Sequence, residues 1–350
     1  MVTKIVYDDI FRLHEMTPGH PESPLRLNAA MHGIQAIKPT DTEIEFLKPE
    51  PAELREVCQI HEEKYIEEIR NKSDKGGGFF TLDTTSNRHT YMASLLAAGG
   101  GILAIDEITR GSANNVFVLC RPPGHHAEFN RAFGFCFMNN IAIAAKHILN
   151  EKKYGRVLIV DYDAHHGNGT QNAFYRSKEV LYIGLHQDGR TLFPGTGFVE
   201  EIGEGEGKGY TVNIPMMPSA GDKSFETAFE QIVQPVAESY KPDFVLVSTG
   251  FDGHHQDPLA GLGLTIKGIA SLNNSLMKIA EMYADGRIAF FLEGGYNLEV
   301  IKRATQNLIE ELAGIQVKEF SDKFHEKEKH KDYIKTTVKE IEEILIGTLF

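Results

Sequence analysis

The 350-residue chain has no tryptophan and only three cysteines, and none of its apolar runs reads as long enough to cross a membrane. Cys58, Cys120 and Cys136 share no metal-type spacing. They therefore argue against a disulfide framework or a cysteine-built zinc cluster, and they suit a reducing, cytoplasmic setting. The N-terminus, Met1 to Asp8, lacks the apolar core of a signal peptide and reads as a first strand. Basic residues are the minority, 36 against 49 acidic, for a net charge of −13. Such a surface repels nucleic acid, so direct nucleic-acid binding is not expected. It serves solubility and suits basic peptides or polycations. No internal repeat or low-complexity linker divides the chain.

The organising stretch is Val157-Leu158-Ile159-Val160-Asp161-Tyr162-Asp163-Ala164-His165-His166-Gly167-Asn168-Gly169. Four apolar residues, three of them β-branched, predict a buried parallel strand. The run then breaks into carboxylates, imidazoles and glycines. That puts Asp163 and His165 just past the strand's carboxyl end, where open α/β sheets bind ligands. Asp-x-His there offers one oxygen and one nitrogen to a borderline metal such as zinc.

Around that strand the pattern alternates. Strands are predicted at Val116–Cys120, Val180–Leu185, Phe244–Ser248 and Ile288–Leu292. Helices are predicted at Asn139–Leu149, Phe225–Ser239, Thr265–Met282 and Leu298–Leu312, with a short one at Gln171–Tyr175. The alternation calls for a parallel sheet with helices on both faces. Upstream, Ser23 is read as the cap of a helix with Pro24 at its first position, and Leu27, Ala30, Ile34 and Ile37 recur at helical spacing. Short helices are expected within Pro51–His61 and Glu62–Arg70. Gly76-Gly77-Gly78 reads as a flexible segment leading into a surface loop over Phe79–Thr84. Met92–Ile105, with Gly99-Gly100-Gly101, reads as a tightly packed helix. The division predicted is a catalytic domain over 1–316 and a charged helical extension over 317–350. The extension's last helix shows Val338, Ile341, Ile344 and Leu345 on one face. It is expected to pack on the same domain or on a partner subunit of a homo-oligomer.

Each later strand ends in reactive or flexible residues. Cys120 is followed by Arg121-Pro122-Pro123-Gly124-His125-His126, Leu185 by His186, Ser248 by Thr249-Gly250-Phe251-Asp252, and Leu292 by Glu293-Gly294-Gly295-Tyr296. Strand ends of one parallel sheet lie side by side, so these clusters should converge. Asp163, His165 and Asp252 make three ligands with a fourth position open, which is the catalytic pattern for zinc. His125 and His126 supply acid and base capacity, with Asp161 placed to orient one and Asn168 the other. Tyr296 is placed to donate its hydroxyl to a developing oxyanion.

Five motifs carry a resemblance to a known family: Arg121–Ala127, Gly134–Asn140, Asp161–Gln171, Phe193–Gly197 and Glu293–Tyr296. Together they resemble the metal-dependent histone deacetylase superfamily, which includes acetoin-utilisation proteins and acetylpolyamine amidohydrolases. Asn168 and Thr170-Gln171 look class II-like, of a microbial kind. The resemblance implies an arginase-like three-layer α/β fold with a central eight-stranded parallel sheet. It implies one catalytic zinc ion on Asp163, His165 and Asp252. By the same match His125 is the electrostatic partner and proton shuttle, His126 the general base and acid, and Tyr296 the carbonyl donor. Phe135 and Phe193, with Gly134 in the same motif, resemble the lining of an acyl-lysine tunnel. Arg26 resembles the arginine of an acetate-release pocket, and Asp83 the aspartate that grips substrate backbone. Potassium is implied at two sites. Asp161, Asp163, His165 and Leu185 match the inner one, where Gly184 lacks the hydroxyl that relatives often supply. Phe174, Ser177, Val180 and Tyr210 match the outer one.

The function implied is hydrolysis of acyl-lysine amides on a peptide or protein. An acetylpolyamine amidohydrolase shares the chemistry, but its deacetylase-like members resemble one another in carrying glutamate where Leu259 stands. A binuclear ureohydrolase needs a second aspartate where Gly167 stands and Asp-x-Asp where the chain reads Asp252-Gly253-His254. A silent acyl-lysine or metal-binding module would not need both histidines, the three ligands and Tyr296 together.

Overall fold

The computed structural model describes residues 2–38, 43–150 and 153–346. Its first part runs β1 (Val2–Val6), α1 (Leu25–Gln35), β2 (Glu43–Leu47), α2 (Leu54–Val57), α3 (Glu63–Asp74), β3 (Gly77–Phe79), β4 (Thr85–Asn87) and α4 (Thr90–Thr109). The middle runs β5 (Asn115–Val118), α5 (Asn140–Asn150), β6 (Val157–Asp161), α6 (Asn168–Phe174), β7 (Val180–Gln187) and β8 (Thr211–Met216). The last part runs α7 (Asp222–Ala228), α8 (Gln234–Tyr240), β9 (Phe244–Thr249), α9 (Ile266–Tyr283), β10 (Ile288–Leu292), α10 (Leu298–Leu312) and α11 (Glu328–Leu345).

Eight strands form one parallel sheet in the order β2-β1-β5-β10-β9-β6-β7-β8. The central strands are buried along their whole length, in keeping with their apolar runs Val116–Val118, Val157–Val160, Phe244–Val247 and Ile288–Leu292. α4 and α5 pack together on one face, and α9, α10 and α1 line the other. This is the three-layer α/β architecture that the motifs imply.

α4 corrects one expectation. Thr90–Thr109 is long and apolar enough, by length and composition, to cross a membrane. Its apolar surface is instead buried within the fold. A side chain at Gly99 would strike the Glu50 carbonyl, at Gly100 the Val6 side chain, and at Gly101 the ring of Phe291. The three glycines let three neighbours approach the helix backbone from different directions.

Other expectations shift in detail. Pro24, not Ser23, occupies the position before α1, and no side chain caps it. The carbonyls of Ser23 and Pro24 accept the N–H groups of Arg26 and Leu27 instead. The flexible glycine segment is a strand: Gly77–Phe79 pairs antiparallel with Thr85–Asn87, so the predicted loop is the turn of a hairpin. The helix expected over Phe225–Ser239 is split by a π-helical turn at Phe229–Val233, just before Pro235. Proline has no N–H to continue the ladder, which accounts for the break.

The C-terminal extension folds back on the same body. α11 buries Ile334, Val338, Ile341 and Leu345 against α7 and β8. Ile344 is only partly buried. The end of the extension, residues 347–350, lies outside the described residues, as does Met1.

Candidate active site

The sheet order explains the convergence. β9 lies between β6 and β10, with Ser248 opposite Asp161 and Thr249 opposite Leu292. The residues that follow these strands therefore share one crevice. Asp163, His165 and Asp252 offer ligand atoms that all lie within 4.8 Å of one another. His165 Nδ1 is 2.9 Å from Asp252 Oδ2 and 3.2 Å from Asp163 Oδ1.

Backbone amides fix the remaining carboxylate oxygens. Ala164 N–H donates to Asp252 Oδ1 at 2.8 Å, and Gly294 N–H donates to Asp163 Oδ2 at 2.8 Å. A side chain at Gly294 would enter both carboxylates, so the approach requires glycine. Burial and the neighbouring Asp163 hold the Asp252 carboxyl above its ordinary value. Two buried acids share a single imidazole. That oxygen, nitrogen, oxygen set with surplus negative charge fits one divalent metal ion of the zinc type.

The paired histidines sit beside this triad, with rings 4.0 Å apart. His125 Nδ1 is 3.0 Å from Asp161 Oδ2. A carboxylate can only accept, so Nδ1 carries the proton. Burial opposes charging of His125, but Asp161, Asp163 and Glu293 outweigh it and push the imidazole up to about 10. His126 Nδ1 is 2.7 Å from Asn168 Oδ1. The Asn168 amide is oriented by its Nδ2, which donates to Glu128 at 2.7 Å. Its oxygen thus faces His126, Nδ1 donates, and Nε2 is left with a free lone pair. Burial, then the charges of His125 and His165, hold His126 well below its ordinary value. Adjacent histidines are thereby shifted in opposite directions.

Tyr296 stands across the crevice, partly buried. Its backbone N–H donates to Asp257 Oδ2 at 2.7 Å, and Asn297 N–H donates to the same oxygen at 3.2 Å. Burial raises its phenol well above the ordinary value, so it remains a hydroxyl donor.

The aromatic walls follow. Phe193 lies edge-on to His126 at 5.2 Å and beside Phe133 at 4.7 Å. Phe135 lies edge-on to Tyr296 at 5.9 Å and to His20 at 4.6 Å. Gly134 and Phe135 have φ of 53° and 69°. A side chain at Gly134 would sit 2.3 Å from the His126 ring and 3.0 Å from Phe193. Glycine there keeps the floor between the two rings open.

The remaining predicted positions are dispersed. Arg26 is fully buried beneath Tyr296, its guanidinium 5.1 Å from the ring centre, and it donates to the Gly295 carbonyl and to Glu22. Asp83 is in the exposed hairpin turn; its carboxylate accepts from Thr81 at 2.6 Å, and its carbonyl is 3.1 Å from His20 Nε2. Leu259 is half-buried in the turn after Asp257, which accepts its N–H at 2.9 Å. Gly184 pairs with Asp161 in the β6–β7 ladder, next to Leu185. A side chain at Gly184 would meet the Tyr182 hydroxyl and His186 Nδ1, each at 2.9 Å. Phe174, Ser177, Val180 and Tyr210 gather where α6 leads into β7: Ser177 N–H donates to the Phe174 carbonyl, and Tyr182 N–H to that of Tyr210.

Two anchors were missed by sequence reasoning. Asp257 holds the backbone of Tyr296 and Asn297. Glu293 Oε2 accepts from Gly124 N–H at 2.7 Å and His125 N–H at 3.1 Å, and so fixes the loop carrying the histidines. Only the turn-forming Asp257-Pro258 pair and the acid beside two glycines hinted at either. Cys136 also approaches His125 and Glu293, but burial holds it as a neutral thiol, a poor ligand.

Comparisons with known proteins identify a family. The family model described as the histone deacetylase domain matches residues 20–312. The chain belongs to the histone deacetylase family. It is 41% identical over 300 residues to a protein named probable deacetylase from Archaeoglobus fulgidus, covering 85% of this chain and 82% of that one. It is 35% identical over 298 residues to a histone deacetylase-like amidohydrolase from Pseudomonas aeruginosa, covering 85% and 78%. The crystal structure of the HDA15 HD domain superposes with a TM-score of 0.87 at 33% identity, covering 98% of this chain and 96% of that one. That coverage takes in most of the extension. As a histone deacetylase-family chain it is a hydrolase of the deacetylase and amidohydrolase kind, in a family that is generally metal-dependent.

Proposed function

We propose that the chain is a zinc-dependent lysine deacetylase that hydrolyses acyl-lysine amides on a peptide or protein. The observation that carries this reading is the placement of two histidines, one bonded to the Asp161 carboxylate and the other to the Asn168 amide, beside the Asp163, His165 and Asp252 ligand set. When bound there, zinc supplies Lewis acidity, which acidifies a water molecule and polarises the amide carbonyl.

The chain's own residues supply the rest. Phe135 and Phe193 line the path of an extended aliphatic side chain. His126, neutral at Nε2, accepts the proton of the attacking water. Tyr296 donates its hydroxyl to the amide oxygen as negative charge develops there. His125, charged through its bond to Asp161, stabilises that negative charge, and a histidine delivers the proton to the leaving amine. Arg26, behind Tyr296, retains donor capacity for the released carboxylate. Asp83 at the rim is the proposed grip on substrate backbone. Potassium is proposed at the inner group of Asp161, Asp163, His165 and Leu185, without a contribution from Gly184, and at the outer group of Phe174, Ser177, Val180 and Tyr210.

The test is a hydrolysis panel on purified protein with acetyl-lysine peptides, longer acyl-lysine peptides and acetylated polyamines. Metal content is measured in the wild type and in Asp252→Ala. The expected result is peptide preference, with metal lost in the variant. Leu259→Glu should move the preference toward polyamines, whose distal ammonium a carboxylate attracts. A wild type that already prefers polyamines replaces the lysine reading with the polyamine one, and equal metal content in both proteins removes the ligand assignment.

A further inference from the structure

Beyond the crevice, the extension that leads into α11 touches the active-site loops directly. The Asp322 side chain is nearly fully buried, with Oδ2 2.6 Å from His254 Nε2 and 3.0 Å from the Ile266 N–H that donates to it. His254 Nδ1 accepts the Gln256 N–H at 3.2 Å, so Nε2 carries the proton and donates to Asp322. The His254 carbonyl in turn accepts the Asp257 N–H at 2.9 Å. One tight turn thus begins at Asp252, is held in its middle by Asp322, and ends at Asp257, which holds Tyr296. Two neighbouring contacts back this one. The Phe324 ring lies 5.5 Å from that of His255 and packs on Gly263, where no side chain would fit. Tyr333 donates to Asp188 at 2.8 Å, at the base of the loop that carries Phe193.

We propose that Asp322 is a positioning residue: through His254 it fixes the turn that presents Asp252 to the metal and Asp257 to the backbone of Tyr296. The inference rests on the metal-centre reading above. It adds that the extension belongs to the working site, with part of the metal affinity residing in a carboxylate 70 residues along the chain from the ligand it positions (322 − 252). Outer partners of metal ligands commonly change metal affinity by about 10–100-fold when removed.

The test uses the full chain, stripped of metal and titrated with zinc against a chromophoric chelator, so the main readout needs no substrate. Asp322→Ala and His254→Phe should each weaken zinc binding by about tenfold, the lower end of that range. Asp322→Asn, which keeps an acceptor oxygen for His254, should stay within about threefold, well inside the effect of losing such a partner. Glu326→Ala is the structural control. Glu326 accepts from Lys223 N–H at 3.1 Å and Ser224 N–H at 3.3 Å, tying the same extension to α7 away from the turn. It should lower thermal stability and leave zinc affinity unchanged. If Asp322→Ala and His254→Phe both bind zinc like wild type, or if Glu326→Ala weakens binding as much as Asp322→Ala, the inference is overturned. The two readings fail separately: a wild type that holds no zinc overturns the metal centre and the inference with it, whereas zinc affinity indifferent to Asp322 overturns the inference alone.

Discussion

Of the three His-His dipeptides in the chain, the pair after β5 and the pair after β9 are used differently by the fold. His125 and His126 have rings 4.0 Å apart, tilted at 42°, with their Nδ1 atoms on Asp161 and Asn168. His254 and His255 are stacked at 4.5 Å and 29° and face Asp322 and Phe324 of the extension. Composition and adjacency are the same. What each imidazole meets differs: the Asp161 carboxylate raises His125, the Asn168 amide orients His126, and the Asp322 carboxylate makes His254 a latch to the extension.

Replacing one residue of each pair probes that comparison most severely. His126→Ala should reduce kcat on an acetyl-lysine peptide by on the order of 100–10,000-fold, the range for general acid–base catalysis. His255→Ala, outside the crevice, should change it by less than about threefold, far below that range. Equal losses would mean that position in the fold, not the partner oxygen, sets the role.

Tyr296→Phe should lower kcat by on the order of 100–1,000-fold, the usual cost of one oxyanion donor. Metal content and melting temperature in the same preparation should stay at wild-type values. A fall in metal content would reassign the hydroxyl to the metal centre.

Exchanging the partner oxygens sharpens the comparison. Asn168→Asp places a carboxylate on His126 Nδ1 and favours its protonated form. The acid limb of the kcat/KM profile should move up by about one pH unit, a typical effect of an adjacent opposite charge. Asp161→Asn removes the strongest of the interactions that hold His125 at about 10. Any alkaline limb should therefore move down. The two swaps should shift opposite limbs in opposite directions, and a full pH–rate profile of each variant checks this.

The smallest effect concerns a partly buried acid with no histidine bonded to it. Burial pushes the Glu311 carboxyl up to about 8 from its ordinary 4.5. A folded value above the unfolded one favours the protonated fold. The contribution is fully present below about pH 4.5 and lost as pH rises through about 8. Glu311→Gln should flatten that dependence and raise the melting temperature at about pH 9 by on the order of 1–2 °C. An unchanged pH dependence of melting would show that Glu311 does not titrate in this range.

Much of this was legible in the sequence because it is local. Val157–Val160 reads as a buried strand from its own residues, and Asp163 and His165 follow from where that strand ends. The edge strands were not legible. In β2, Glu43 and Glu45 interrupt the apolar signal, and in β8, Pro215 argues against a strand. Both are edge strands, where charge and proline are tolerated. The anchors were illegible for a different reason. Asp257 with Tyr296, Glu293 with Gly124, and Asp322 with His254 are distant partners whose pairing exists only once the sheet has brought them together.

The order of the strands also governs how the molecule comes into being. β10 is the last of the eight sheet strands in chain order, yet it lies near the middle of the sheet, between β5 and β9. Until it emerges, the growing chain holds two separate half-sheets, β2-β1-β5 and β9-β6-β7-β8, each with an open edge. The same strand delivers Glu293, Gly294 and Tyr296, and its Phe291 covers α4. Insertion of one late segment therefore closes the sheet, shields a helix that would otherwise expose an apolar surface, and supplies the remaining side of the active site. A ribosome-bound chain ending before β10 would be both aggregation-prone and inactive.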